Sequence, residues 1–219
     1  MQATRADLRA GRARSALSAG AGREKLTPVA ELTVVEARTL LARAFVDDPL
    51  MRWFFPDDTS RLHACAALFG RFAEHYLPAG RVDVVRRSEP VALAMWRRPG
   101  TGTPADDGSL PTTPGLMTAL MGTPRAAEIG GAMAVIGPLR PPEPHAYLHF
   151  LAVHPDARRQ GLGGEVLRPG LAAARDAGLV ACLETMNPAN VPFYEAHGFA
   201  VRHEVQLAAG GPRVWAMST

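Results

Sequence analysis

Cysteine is scarce in this sequence: its 219 residues hold two, Cys65 and Cys182. Two thiols cannot build a disulfide framework, and neither stands at metal-ligand spacing, so no zinc or other metal site is expected. Both fall in apolar patterns and read as buried, reduced thiols. Aromatic residues are also few, at 6%. The apolar share of 47% leans on alanine, and with 21 Gly and 19 Pro the chain reads as globular with loops rather than fibrous or disordered. No apolar run of about 18 residues occurs, and the N-terminus lacks an uninterrupted apolar stretch of signal-peptide length. The expectation is a cytoplasmic protein with no membrane partner. No internal repeat is present, and the length suits one domain.

Charge of one sign is lacking everywhere except at the N-terminus. The first 25 residues carry Arg5, Arg9, Arg12, Arg14, Arg23 and Lys25 against Asp7 and Glu24, an excess of four that accounts for the formal net charge of +3. Residues 1–25 read as a basic, solvated, disordered extension, and 26–219 as the single domain. No nucleic-acid partner is expected.

The hydrophobic spacing of Glu31–Phe45 predicts an amphipathic helix ended by the Asp47-Asp48-Pro49 turn, and Ser60 can cap a second helix reaching about Leu77. Between them, Trp53, Phe54 and Phe55 form an aromatic cluster on a loop, suited to a substrate wall or equally to a core plug. Arg81–Arg86 and Pro90–Arg97 predict a hairpin, residues 99–114 a Pro/Gly/Thr-rich loop, and Leu116–Ile136 a helix interrupted near Pro124. Then come a strand over Ala146–Val153, a helix over about Gly161–Ala177, a strand over Leu179–Thr185, a short helix over Asn190–Ala196, and closing strands at Phe199–Leu207 and Arg213–Met217. This order predicts a mixed α/β sheet.

The chemistry lies in Val153-His154-Pro155-Asp156-Ala157-Arg158-Arg159-Gln160-Gly161-Leu162-Gly163-Gly164. A buried strand enters a helix through a loop that is first basic and then glycine-rich. Outward-pointing amides at the helix start, the helix dipole and unobstructed glycine backbone all favour a bound anion. The spacing is neither G-x-G-x-x-G nor a P-loop, which excludes dinucleotide and nucleoside triphosphate sites of those kinds.

What fits is Arg-x-x-Gly-x-Gly, with Arg158, Gly161 and Gly163 in place. It resembles the CoA-pyrophosphate loop of the GNAT N-acetyltransferases. Leu183-Glu184-Thr185-Met186-Asn187-Pro188-Ala189-Asn190-Val191-Pro192-Phe193-Tyr194-Glu195-Ala196-His197-Gly198-Phe199 resembles that family's second motif. Residues 143–217 are similar in particular to the members that acetylate puromycin, through Glu143-Pro144, Pro155-Asp156, Pro169-Gly170, Leu183-Glu184-Thr185 and Pro192-Phe193-Tyr194-Glu195.

The resemblance implies the GNAT fold, a central, mostly antiparallel sheet flanked by helices, and acetyl-CoA as co-substrate. It implies that Arg158, Arg159, Gln160, Gly161, Leu162, Gly163 and Gly164 hold the pyrophosphate. Leu151, Ala152 and Val153 would offer backbone groups to the pantetheine and thioester from a strand that splays from its neighbour, and Asn187 or Asn190 would contact the pantetheine arm. Tyr194 would protonate the departing thiolate, although a tyrosine on a short helix is otherwise a packing residue. His149, which alternates with Leu151 and Val153, is a candidate base on resemblance to arylalkylamine N-acetyltransferases. A satisfied structural histidine is the alternative. Glu184 is the second candidate base, or the partner of an arginine. His145, His154 and Arg168 read as surface residues, and an acyl-enzyme on Cys182 as less in keeping with direct transfer.

The expected function is acetylation of the primary amine of a small molecule, an antibiotic or aminonucleoside, with Trp53, Phe54 and Phe55 in the acceptor pocket, by a monomer or homodimer. A peptide N-terminal acetyltransferase and a non-catalytic acyl-CoA-binding module are the alternatives.

Overall fold

A computed structural model describes residues 32–101, 111–208 and 210–219. The basic extension read at 1–25 and most of the 99–114 loop lie outside the described residues. Helix α1, Val34–Phe45, starts where Thr33 accepts the Glu36 amide and the Glu36 carboxylate returns to the Thr33 amide, a reciprocal cap. That carboxylate also accepts from Arg86 Nη1 at 2.7 Å, fixing the helix start to the sheet. Helix α2, Pro49–Phe54, is short, with Asp48 at its N-cap and Pro49 in its first turn. Helix α3 follows at Arg61–Ala79. The aromatic cluster expected on a loop therefore sits on α2 and its C-terminus, because an Asp-Pro pair that reads as a turn is also a helix start.

The hairpin β1, Arg81–Arg86, and β2, Pro90–Arg97, forms as expected. The next helical region splits into α4, Thr113–Met121, and α5, Thr123–Met133, at Gly122, whose φ of +81° no other residue type adopts readily. The rest runs β3, His145–Val153; α6, Leu162–Asp176; β4, Val180–Thr185; α7, Val191–Glu195; β5, Ala200–Gln206; and β6, Arg213–Ser218.

The six strands order as β1-β2-β3-β4-β6-β5. All neighbours are antiparallel except β3 and β4, which pair through only three residues, His145 with Val180, Ala146 with Ala181 and Tyr147 with Cys182. Beyond Tyr147, β3 runs on to Val153 beside β2 while β4 diverges. One face of the sheet packs on α1, α2 and α3 through Leu41, Phe69, Tyr76, Val84, Leu93 and Met95. The other packs on α6 and α7 through Val85, Trp96, Leu148, Val166, Leu167 and Leu183. Each large aliphatic side chain buried here contributes roughly 2 kcal/mol.

Trp96 and α6 meet closely. A methyl group at Gly170 would lie 2.1 Å from Trp96 Nε1, so the Pro169-Gly170 step is what lets the indole in. Both cysteines are free and buried. Among the described residues no helix is long and apolar enough to cross a membrane, and no group of three His, Cys, Asp or Glu is placed to hold a metal ion.

Candidate active site

The chain leaves β3 through a single turn of 3-10 helix at Pro155–Ala157 and reverses twice before α6. Arg159 has φ +61°, the only positive value at a non-glycine residue among those described, and Gly161 follows at +81°. Left-handed residues at such close spacing turn successive amides toward one side, a concave anion cradle at the start of a 15-residue helix. The cradle opens onto a cavity of about 550 Å³. Arg158, Arg159, Gly161, Leu162, Gly163 and Gly164 line it from the loop, Leu151 and Val153 from β3, and Asn187, Asn190, Phe193 and Tyr194 from the second motif.

Two of these glycines are also needed for packing. A Cβ at Gly163 would come within 3.3 Å of the Phe193 ring, and one at Gly164 within 2.8 Å of His197 Nε2. Arg158 ties the loop to α1 by donating to the Ala44 carbonyl at 2.8 Å. Asn187 accepts from the Ala189 amide at 3.1 Å, and Asn190 Nδ2 donates to Thr185 Oγ1 at 3.4 Å, which shapes the turn into α7. Ala152 and Gln160 are not brought to this cavity: Ala152 is buried in the core on the α1 and α3 side, and Gln160 accepts from Arg87 Nη2 at 2.7 Å on the surface.

A second cavity, of about 610 Å³, lies along the α1 and α3 face. Its wall is aromatic and aliphatic, with Phe45, Phe69, Phe72, Phe150, Leu50 and Met51, and its polar groups include Asp48, Thr113, Arg140, His149, Glu184 and Tyr194. The Thr113 hydroxyl is buried with no hydrogen-bond partner among the described residues. Phe45, Asp48, Leu151, Asn190 and Tyr194 line both cavities, so the two meet there.

His149 reaches this cavity by a route its spacing does not foretell. The β2–β3 register slips at His149, where Met95 opposes Phe150 and Trp96 opposes Leu148. The bulge ends the expected alternation with Leu151 and Val153 and turns His149 and Phe150 toward α3, their rings stacked at 4.0 Å. His149 Nδ1 lies 2.7 Å from the Tyr76 hydroxyl. Burial, and the positive charge of Arg140 and Arg97, hold its pKa well below the usual histidine value, so the ring is neutral.

Glu184 meets an arginine: Arg140 Nε donates to one oxygen at 2.7 Å and Nη2 to the other at 3.3 Å, while the guanidinium lies 3.9 Å from the Tyr147 ring centre. Trp53, Phe54 and Phe55 do not line either cavity. Phe54 and Phe55 are buried in the helical core, and Trp53 packs under the Arg125 guanidinium, 4.9 Å away. Among the outlying residues, His145 faces the Glu143 carbonyl at 2.9 Å, His154 lies 3.2 Å from Arg43, and Arg168 is exposed.

The reading of the sequence did not single out Asp48, Tyr76, Arg140 or the phenylalanines of α1, α3 and β3. Phe45 and Asp48 bracket a corner that looks like a plain turn, and the others are assembled from separate elements with no shared motif. Tyr194 is buried, and burial followed by the Asp48 charge pushes its pKa upward, so its phenol stays protonated. Cys182 is pushed up to about 12, mainly by burial, which leaves it a poor nucleophile at neutral pH.

Residues 126–199, which span the cradle, the splay and Tyr194, match the family model described as acetyltransferase (GNAT) family. A solved structure from Corynebacterium glutamicum, described as a histone acetyltransferase and related acetyltransferase, is 25% identical with a TM-score of 0.67, over 89% of this chain and 94% of its own. The C-terminal condensation domain of Ebony, in complex with beta-alanyl-dopamine, shares the fold at a TM-score of 0.60 and 10% identity, over 90% of this chain and 97% of its own. The matched segment of residues 126–199 is similar to the GNAT acetyltransferases, and with the shared fold it supports an acetyl-CoA-dependent N-acetyltransferase.

Proposed function

We propose that this enzyme acetylates the primary amine of a small, largely apolar molecule, an aminonucleoside or related antibiotic, by direct attack on acetyl-CoA in a ternary complex. The observation that carries this reading is the meeting of a glycine-walled anion cavity and an aromatic-walled cavity at Tyr194. The amides around Arg159 and Gly161, with Arg158 nearby, hold the pyrophosphate. The pantetheine arm then runs toward Asn190 and along the edge of β3 past Tyr147, where β4 no longer pairs with it. Tyr194, protonated at neutral pH, supplies the proton to the departing thiolate. Direct transfer is supported by Cys182, whose thiol is held protonated by burial and lines neither cavity. His149, held by the Tyr76 hydroxyl, forms one polar wall of the acceptor cavity, and the Arg140–Glu184 pair another.

The acceptor reading draws on the aromatic lining and on the likeness of residues 143–217 to puromycin-acetylating enzymes. It is tested by thiol release from acetyl-CoA with puromycin, aminoglycosides, arylalkylamines and short peptides offered in parallel. Release with puromycin or an arylalkylamine is expected. Release with peptides alone would move the acceptor to a polypeptide N-terminus.

A further inference from the structure

Of the five side chains where the cavities meet, Phe45, Leu151, Asn190 and Tyr194 are uncharged, and Asp48 is the one carboxylate. One of its oxygens accepts the Leu50 amide at 2.9 Å. No cation among the described residues pairs with it. The neighbouring carboxylates are treated differently: exposed Asp47 takes Arg52 at 2.7 Å, and Glu184, deeper in the acceptor cavity, takes Arg140 through both oxygens. A half-buried carboxylate without a counter-charge is costly unless something supplies one. Capping α2 explains the oxygen bound to Leu50 but not the charge, since an asparagine caps a helix equally well.

We infer that Asp48 binds the ammonium of the acceptor and takes the proton the amine must lose before it attacks the thioester; this rests on the acetyl-transfer reading above. The freed nitrogen lone pair forms the bond to the carbonyl carbon as the carbon–sulfur bond breaks. The thiolate takes the Tyr194 proton, Tyr194 regains one from the acylated nitrogen, and the proton held by Asp48 passes to solvent. The sum is one acetamide, one CoA thiol and one released proton, and Asp48 is returned as carboxylate.

The titratable groups around Asp48 are Tyr194 on α7 and Cys65 on α3, with His149 and the Arg140–Glu184 pair farther along the acceptor cavity and Arg158 and Arg159 on the cradle side. Burial raises the Asp48 carboxyl above the ordinary aspartate value, which makes it a stronger proton acceptor. A single ammonium ahead of the phenylalanine wall defines the acceptor class as a monocationic amine on an apolar, aromatic body. A polycation would leave further charges against Phe69, Phe72 and Phe150.

The test compares wild type with Asp48→Asn, which keeps the cap. Binding to the CoA-saturated protein is measured by calorimetry with phenethylamine and with phenethyl alcohol, its uncharged counterpart. Wild type is expected to prefer the amine about tenfold or more, and Asp48→Asn to lose the preference. No preference in wild type, or one that survives the substitution, overturns the inference.

Turnover is then measured with phenethylamine and with phenylacetic hydrazide, which is uncharged at pH 7. Asp48→Asn should lose about 10²-fold or more in kcat/KM for the amine at pH 7, with the defect narrowing as the pH nears the amine's own pKa, while the hydrazide is little affected. Equal losses for both acceptors, or none, overturn the proton-acceptor role. If wild type acetylates neither compound, the small-amine reading fails, and the binding comparison still decides whether Asp48 holds an ammonium.

Discussion

At the residue scale, Tyr194 is the side chain on which the proposed chemistry turns. Substituting Tyr194→Phe removes the hydroxyl and keeps the ring that packs 5.8 Å from Phe199. The expected outcome is a loss of about 10²-fold in kcat with CoA affinity unchanged, read by steady-state thiol release and by CoA titration. A variant with normal turnover would move the thiolate's proton to another donor. Glu36 gives a second prediction, on stability. The Arg86 hydrogen bond foremost, then the Thr33 amide, lowers its pKa from 4.5 to about 2. A lowered folded-state value stabilises the protein above the unfolded value, and the benefit is lost as the pH falls through the folded one. Glu36→Gln should therefore unfold more easily than wild type by about 1 kcal/mol at pH 7, in urea titration, with the gap shrinking below pH 4.5 and closing near pH 2.

The places of Tyr194, Arg158 and the glycines along one cavity were legible in the sequence because each lies within one short segment whose spacing states its geometry. Asp48 was not, because its role depends on α1, α3 and α7 converging on one point. The side of β3 on which His149 lies was hidden by the bulge, since a one-residue slip reverses every later side chain and leaves no trace in the residue order.

At the scale of elements, the glycines of two helices make a paired test. Gly170 on α6 lies against Trp96, and Gly170→Ala would drive a methyl group into the indole. The loss should be about 2 kcal/mol in denaturant unfolding. Gly130, on an exposed face of α5, has nothing within 4 Å of an added methyl. There Gly130→Ala should stabilise by up to about 1 kcal/mol. The opposite signs follow from surroundings alone. Element order, the hairpin and the strand-helix-strand unit were all readable from periodicity. The one misplaced element, α2, is six residues long, too short for periodicity to register, and its Asp-Pro start reads as a turn.

At the scale of the molecule, acetyl-CoA touches α1, β3, α6 and α7 if it fills the cavity those elements line. CoA at about a hundred times its Kd should stabilise the fold by about 2.7 kcal/mol. That corresponds to a rise in melting temperature of roughly 5–10 °C by differential scanning calorimetry. Arg158→Ala should shrink the rise, while leaving the melting temperature without CoA within about 2 °C, since the hydrogen bond it donates to Ala44 lies at the surface.

The short pairing of β3 with β4 has a mechanical consequence. Three residue pairs are all that directly stitch the β1-β2-β3 half of the sheet to the β4-β6-β5 half. Under the proposed reading, a pantetheine arm lodged in the gap would add rungs to that ladder, and the co-substrate would become a temporary tie across this seam. Pulled from points on either half, the protein should yield along this line, and at a higher force when the tie is in place.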